Sequence, residues 1–239
     1  MLTFSIIQYI SMNPIQILEK ALQTAGGEVW QNPETLHLEG TADFYPHGLT
    51  DDAHFLHFDY YALFRVFPQE NVEAHRANGK VRIDATYGDE TFFKLKFDGR
   101  VSDMAMSEVA KKYGKYFEWS NNFGFSIIRH ASKDGFETLQ LANDQVEGHP
   151  CFFVQVTDPK QNITVFGIDS STFNIRLVQF VTELGFHHRI YSDFGPANNE
   201  PRFVQAHRMR VYFDGIKWID INWKQCWVNE KLADDLFVK

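Results

Sequence analysis

The sequence predicts a mainly β protein built on antiparallel sheet, and three observations predict it. Residues 147–194 hold four short β-type runs in succession, at 151–157, 162–169, 174–182 and 186–194. Each is rich in Val, Ile, Phe and Thr. Each is closed by turn chemistry: Asp158-Pro159, Ser170-Ser171, Leu184-Gly185 and Gly195-Pro196. Connections this short leave no room for a crossover helix, which argues against parallel pairing. The third observation is composition: 23 Phe residues, with Trp and Tyr, bring aromatics to 15% of the chain. Aromatics suit pleated, half-buried faces and can also line an apolar cavity; composition alone favours a phenylalanine-rich core.

In chain order, residues 1–10 (MLTFSIIQYI) are apolar but lack a basic n-region, and no small-x-small cleavage site follows before Asn13-Pro14. Residues 1–12 read as the remnant of a signal segment, a disordered N-terminus, or an extra strand or helical turn. Taken as it stands, the chain predicts no export signal and a cytoplasmic location. Asn13 can cap a helix that Pro14 begins. Ile15, Leu18, Leu22 and Ala25 share one face of it, and Gly26-Gly27 stops it. Residues 35–45 form the cleanest strand, with Leu36, Leu38, Ala42 and Phe44 on one face and Thr35, His37, Glu39, Thr41 and Asp43 on the other.

Residues 53–67 make a long aromatic strand with a bend. Strands at 80–87 and 91–97 follow around Gly88-Asp89, with Asp98-Gly99 as the next turn. From Ser107 the period becomes helical, through Val109, Tyr113 and Tyr116-Phe117, with Glu108 near the positive helix start. Residues 121–131 (NNFGFSIIRHA) form a second short helix ending before Asp134-Gly135. A last hairpin, 203–213 and 216–228, turns at Asp214-Gly215, and Leu236 and Phe237 anchor a polar tail. No repeat, low-complexity tract or linker divides residues 1–239, so one domain is expected.

The net charge of −8 argues against binding nucleic acid through phosphates, which needs clustered cations. Lys111-Lys112 and the Arg208/Arg210 pair are the nearest approach to clusters. No apolar run reaches the length of a transmembrane segment. Ten histidines raise the question of a metal. His54 and His57 fall on opposite faces of a strand, His187 and His188 are adjacent and diverge, and no H-E-x-x-H or paired C-x-x-C accompanies them. Asp51, Asp52 and Asp59 read as solvated. There is no G-x-S-x-G elbow and no phosphate-cradling glycine loop. Cys151 lies in an apolar strand, a poor setting for a low-pKa thiol. No catalytic residue, no metal and no cofactor is expected. Cys151 and Cys226 would add about 2–4 kcal/mol if paired in an oxidising compartment, but read as unpaired, buried thiols.

Four segments carry a family resemblance: KFDGRVSDM (96–104), NNFGFSIIRHA (121–131), TVFGIDSSTFNIRLV (164–178) and VNEKLADDLF (228–237). With the order helix, strands, helical insert, second meander and polar tail, the chain resembles the LolA-like superfamily, which includes a periplasmic lipoprotein carrier. Residues 25–45 (AGGEVWQNPETLHLEGTADFY) with NNFGFSIIR look like an uncharacterised bacterial branch of it. The resemblance covers most of the chain, and its motifs are structural. It implies a curved, half-open antiparallel β-barrel whose concave face is covered by an N-terminal helix and a helical insert. It implies non-enzymatic binding of a lipid or other hydrophobic small molecule, and a periplasmic or envelope location with peripheral association. Leu38, Val154, Phe166, Phe180 and Trp223 would then line the cavity, with Phe123, Phe125 and Ile127 as its lid; taken singly, each reads first as dry core. Two other classes stand beside this one. One is a hydrolase using His57, His187 or His188 as base; the other is a structural envelope protein docking a partner at a strand edge.

Overall fold

The computed structural model describes residues 12–45, 56–65, 80–87, 90–97, 102–104, 125–182 and 185–237. Among these, helix α1 spans Pro14–Ala25 and the four-residue α2 spans Glu28–Gln31. The strands are β1 (Thr35–Phe44), β2 (Leu56–Arg65), β3 (Lys80–Tyr87), β4 (Glu90–Phe97), β5 (Ser102–Met104), β6 (Glu137–Gln140), β7 (Asp144–Val146), β8 (His149–Thr157), β9 (Ile163–Asp169), β10 (Ile175–Thr182), β11 (Gly185–Pro196), β12 (Val204–Phe213) and β13 (Ile216–Val228). Two 3-10 turns, Phe125–His130 and Asp234–Phe237, complete the elements. The helix expected over 107–117, the turns at Gly88-Asp89 and Asp98-Gly99, and the residues Phe123 and His54 lie outside the described residues, as does the N-terminal apolar run.

All strands join one antiparallel sheet in the order β5-β4-β3-β2-β1-β13-β12-β11-β10-β9-β8-β6, with β7 hairpinned onto β8. Its two ends do not pair with each other among the described residues, so it is a curved, half-open barrel. The chain lays down two meanders, β1 to β5 and β8 to β13, and the β1–β13 ladder joins them. That ladder runs from Leu36 opposite Val228 to Phe44 opposite Ile219, with a register shift at Glu39/Gly40. Further shifts fall at Ala85/Thr86 and Val211/Tyr212, where the extra residue sharpens strand twist and curvature.

Where β13 runs past the end of β12, two asparagines take over its edge. Asn198 accepts from the Cys226 N–H at 2.7 Å, and Asn199 accepts from the Val228 N–H at 3.0 Å while donating to the Val228 carbonyl at 2.8 Å. The Cys226 and Val228 backbone groups on that edge are paired in the absence of a strand, the Cys226 carbonyl accepting from the Asn198 N–H.

α1 begins as its sequence dictates. The Asn13 side chain accepts from the Gln16 N–H, and the Gln16 side chain accepts from the Asn13 N–H, a reciprocal capping box. Its buried residues are Ile17, Leu18, Ala21 and Leu22, so the inward face is rotated from the one expected through Ile15, which is only half-buried. The short helix expected over 121–131 is a 3-10 turn in its described part, and β5, β6 and β7 have no counterpart in the sequence reading. β6 (ETLQ) and β7 (DQV) are short and polar, so pairing with β8 and not local propensity makes them strands.

Gly40 sits at the register shift of the joining ladder. A Cβ built there would lie 2.0 Å from the Asn222 carbonyl oxygen and 2.8 Å from the Trp223 Cα, both backbone atoms. Gly40→Ala should therefore destabilise the fold by about 2 kcal/mol or more. Chemical denaturation checks this, and an unchanged midpoint would contradict the account of the joint.

Candidate functional site

Register aligns the inner face of the sheet into rows. One row runs Val156, Thr164, Phe180, His187, Phe213 across β8 to β12. The next runs Val154, Phe166, Val178, Arg189, Val211, Ile219 and continues through the ladder to Phe44 on β1. Alternation sends the intervening side chains to the convex face, where Cys151, Leu177 and Val146 form a separate small cluster. Cys226 belongs to the main core, so the two cysteines occupy different clusters and are free thiols. Burial pushes both thiols up, Cys226 to about 12.

The concave face is covered by α1, Trp30 and the 3-10 turn Phe125–His130. α1 lies against β6, β8, β12 and that turn. Ile17, Leu18, Ala21, Leu22, Trp30, Ile127, Ile128 and Ala131 merge with the sheet residues into one cluster. Leu38, Ile127, Val154, Phe166, Phe180 and Trp223 all fall in it, each 6% exposed or less. The cavity-lining candidates and one lid candidate thus belong to a single buried cluster. Phe125 opens the 3-10 turn, and Phe123 lies outside the described residues.

Besides Thr164, two polar side chains, His187 and Arg189, interrupt this apolar face. The His187 ring is wedged between Phe180 and Phe213, with centroids 4.6 and 4.9 Å away. Arg189 Nε donates to His187 Nε2 at 3.0 Å, and Arg189 also hydrogen-bonds the Tyr191 hydroxyl. A guanidinium only donates, so Nε2 is the acceptor and the ring is neutral. Burial, and then the charge of Arg189, push His187 down to about 2. A ring held this way is a weak base sealed in the core. His188 points to the opposite face, stacked on Tyr212 at 4.6 Å, and burial lowers it as well. The side chain of His57 is outside the described set. Among the described residues no group of three His, Cys, Asp or Glu side chains could hold a metal ion, and no helix is long and apolar enough to cross a membrane.

An open groove of about 660 Å³ runs along the outer flank of α1, between Met12, Gln16, Glu19, Lys20, Leu22 and Gln23 on one side and Gln31, Arg129 and Ser132 on the other. Sequence reasoning did not find it. It brings Arg129 to Trp30, 99 residues away, and nothing local marks such a contact.

No family model matches the chain, and no curated protein matches it. Solved structures do. A DUF1329 family protein from Desulfovibrio piger superposes with a TM-score of 0.60 at 12% identity, over 95% of this chain and 98% of that one. A provisionally named outer membrane lipoprotein-sorting protein domain from Vibrio parahaemolyticus gives 0.51 at 10% identity, over 95% and 97%. A LolA superfamily protein from Nitrosomonas europaea gives 0.47 at 13% identity over 96% and 99%, and carries no argument at that score. Identities this low speak to the fold alone, and the fold is LolA-like.

The neutral His187 makes a pH prediction. Its folded-state value lies far below the ordinary 6.5. As pH falls below about 6.5 the unfolded chain takes up a proton that the folded chain refuses, so stability falls with pH; above that value the group contributes nothing. Between pH 6.5 and 5 the loss should be about 2 kcal/mol. Denaturation midpoints of the wild type and His187→Leu across this range test it. A flatter profile in the variant is expected, and parallel profiles would contradict the assignment.

Proposed function

We propose that this protein is a non-enzymatic carrier that binds a lipid acyl chain, or a similar hydrophobic group, between the concave face of its sheet and the α1 layer. The observation that carries the reading is the mainly apolar inner face from β8 through β13 to β1, interrupted at Thr164, His187 and Arg189 and covered by an amphipathic helix from outside the sheet. The likeness in fold to a domain named for lipoprotein sorting supports it, and suggests a role in bacterial envelope lipid or lipoprotein handling at the periplasmic side.

In the described conformation the inner face is dry, so a ligand reaches Val154 and Phe166 only by displacing part of α1. Ile17, Leu18 and Leu22 hold the helix down with about 2 kcal/mol each, about 6 in all. A buried methylene returns about 0.8 kcal/mol, so a chain of about eight methylenes offsets the displaced contacts. Shorter chains cannot open the site.

A second reading, docking of a protein partner, is favoured by one observation: Val181 is 71% exposed on the convex face, opposite the exposed Phe186 on the neighbouring strand. Val181→Lys with Phe186→Lys would abolish such docking and leave lipid uptake unchanged; loss of uptake in that variant would count against the concave site.

A series of saturated fatty acids, titrated by native mass spectrometry or probe displacement, tests the main proposal. Chains below about eight carbons should not bind, and affinity should then rise roughly tenfold for every two methylenes added. Affinity independent of chain length, or no binding by any of the series, would overturn it.

A further inference from the structure

We propose that the groove beside α1 holds the anionic head of the ligand, a carboxylate or a phosphate, with Arg129 and Lys20 as its cationic partners. This rests on the acyl-chain reading of the concave face and names the chemistry at its mouth.

Arg129 differs from the arginines that serve the fold. Arg82, Arg176, Arg202, Arg208 and Arg210 each pair with a carboxylate, respectively Asp84, Asp169, Glu200, Asp220 and Glu147. Arg129 has no carboxylate within ion-pair distance among the described residues. Its guanidinium lies over the Trp30 ring, 4.2 Å from the centroid, and its Nε donates to the Trp30 carbonyl at 3.2 Å. The stack and the single hydrogen bond hold the group against Trp30. Four of its five N–H donors are left without a described partner, on the wall of the groove. Burial disfavours the charged form and pulls this arginine down from 12.5 to about 10. Arg129 and Lys133 both help push the neighbouring His130 down to about 4, after its own burial. The local potential is positive.

The rest of the groove suits an anionic head. Lys20 lines the facing α1 side of the groove, its ammonium 4.8 Å from the Phe173 ring centroid. Gln16, Gln23, Gln31 and Ser132 add neutral hydrogen-bonding groups, and Glu19 pairs with neither cation. Met12 and Leu22 form an apolar floor, and both belong to or pack on the main core cluster under α1. An amphiphile can therefore set its head on Arg129 and Lys20 and send its tail inward along Leu22. Fork-like pairing of guanidinium with carboxylate or phosphate is the strong form of this contact.

The test compares myristate, tetradecyl phosphate, tetradecanol and inorganic phosphate on the full chain, with Arg129→Gln and Lys20→Glu. Both anionic amphiphiles should bind the wild type about tenfold or more tighter than tetradecanol, and Arg129→Gln should remove that preference without weakening tetradecanol. Lys20 is exposed, so Lys20→Glu leaves the fold intact and should cut the preference in the same direction even if Arg129→Gln fails to fold. If inorganic phosphate alone binds with the same dependence on Arg129 and no lipid binds, the anion site stands, its ligand is free phosphate, and the acyl-chain reading fails. If tetradecanol binds the wild type as tightly as myristate, or the preference survives both substitutions, the head-group site is wrong while the concave site stands. If nothing binds, both are overturned.

Discussion

Everything on the inner face depends on the β1–β13 ladder. Without it the described strands fall into two separate meanders, β1 to β5 and β6 to β13. With it, the row that begins at Val154 on β8 and passes through Phe166 on β9 runs on to Phe44 on β1. The joint is reinforced at the far end of β13. The Glu34 N–H donates to the Asn229 side chain at 2.8 Å, and the Thr35 hydroxyl donates to the Glu230 carbonyl at 2.7 Å. His37 places one ring nitrogen 2.9 Å from Glu230 and the other 3.0 Å from Glu39, so both carboxylates meet a single ring. These contacts fix register where a slip of one residue would turn the apolar rows outward.

The cover is tied to this frame unevenly. At its C-terminal end the α1 stop, Gly26, leaves room for a Cβ only 2.5 Å from the Arg202 carbonyl oxygen, so the backbones approach closely there. Thr24 donates to the Thr172 carbonyl at 3.3 Å, and Phe203 is buried nearby in the main cluster. The loop carrying Thr172 is itself rigid: Asp169 accepts from Ser171, Thr172 and Arg176 and is held well below the usual carboxylate range by them, against the opposing effect of its burial. At the N-terminal end the helix has its capping box and Met12, facing the open groove. A helix anchored at one end and capped at the other lifts from the capped end. The groove that holds Arg129 and Lys20 runs along the helix from Met12 to Gln23, so its open end lies beside the capped end.

Much of the frame was legible in the sequence. Alternation and paired turn residues placed the meander strands within a few positions, because period and turn chemistry are local. Asn13-Pro14 and Gly26-Gly27 bounded α1 for the same reason. The inward face of α1 was read through Ile15, whereas Ile17, Leu18, Ala21 and Leu22 are the residues the sheet actually covers. The position of the sheet decided that, and periodicity along one helix could not. The β1–β13 pairing has no local signature, and neither do β6 and β7, whose few polar residues become strands only through β8. Alternation could bring Leu38, Phe180 and Trp223 to one face. It could not show that α1 packs into one cluster with that face, nor that Arg129 stacks on Trp30 with no carboxylate partner among the described residues. Those facts come from contacts between distant segments.

The central claim is that the α1 layer opens while the sheet stays intact. Native-state hydrogen exchange measures this directly, residue by residue. Amides of α1 should exchange through an opening of lower free energy than amides of β9 to β11, and bound long-chain fatty acid should change protection in α1 and around Arg129 while leaving the strands as they were. If α1 amides exchange only by the same global unfolding that exposes β9 to β11, the inner face is a permanently closed core and the carrier account is wrong.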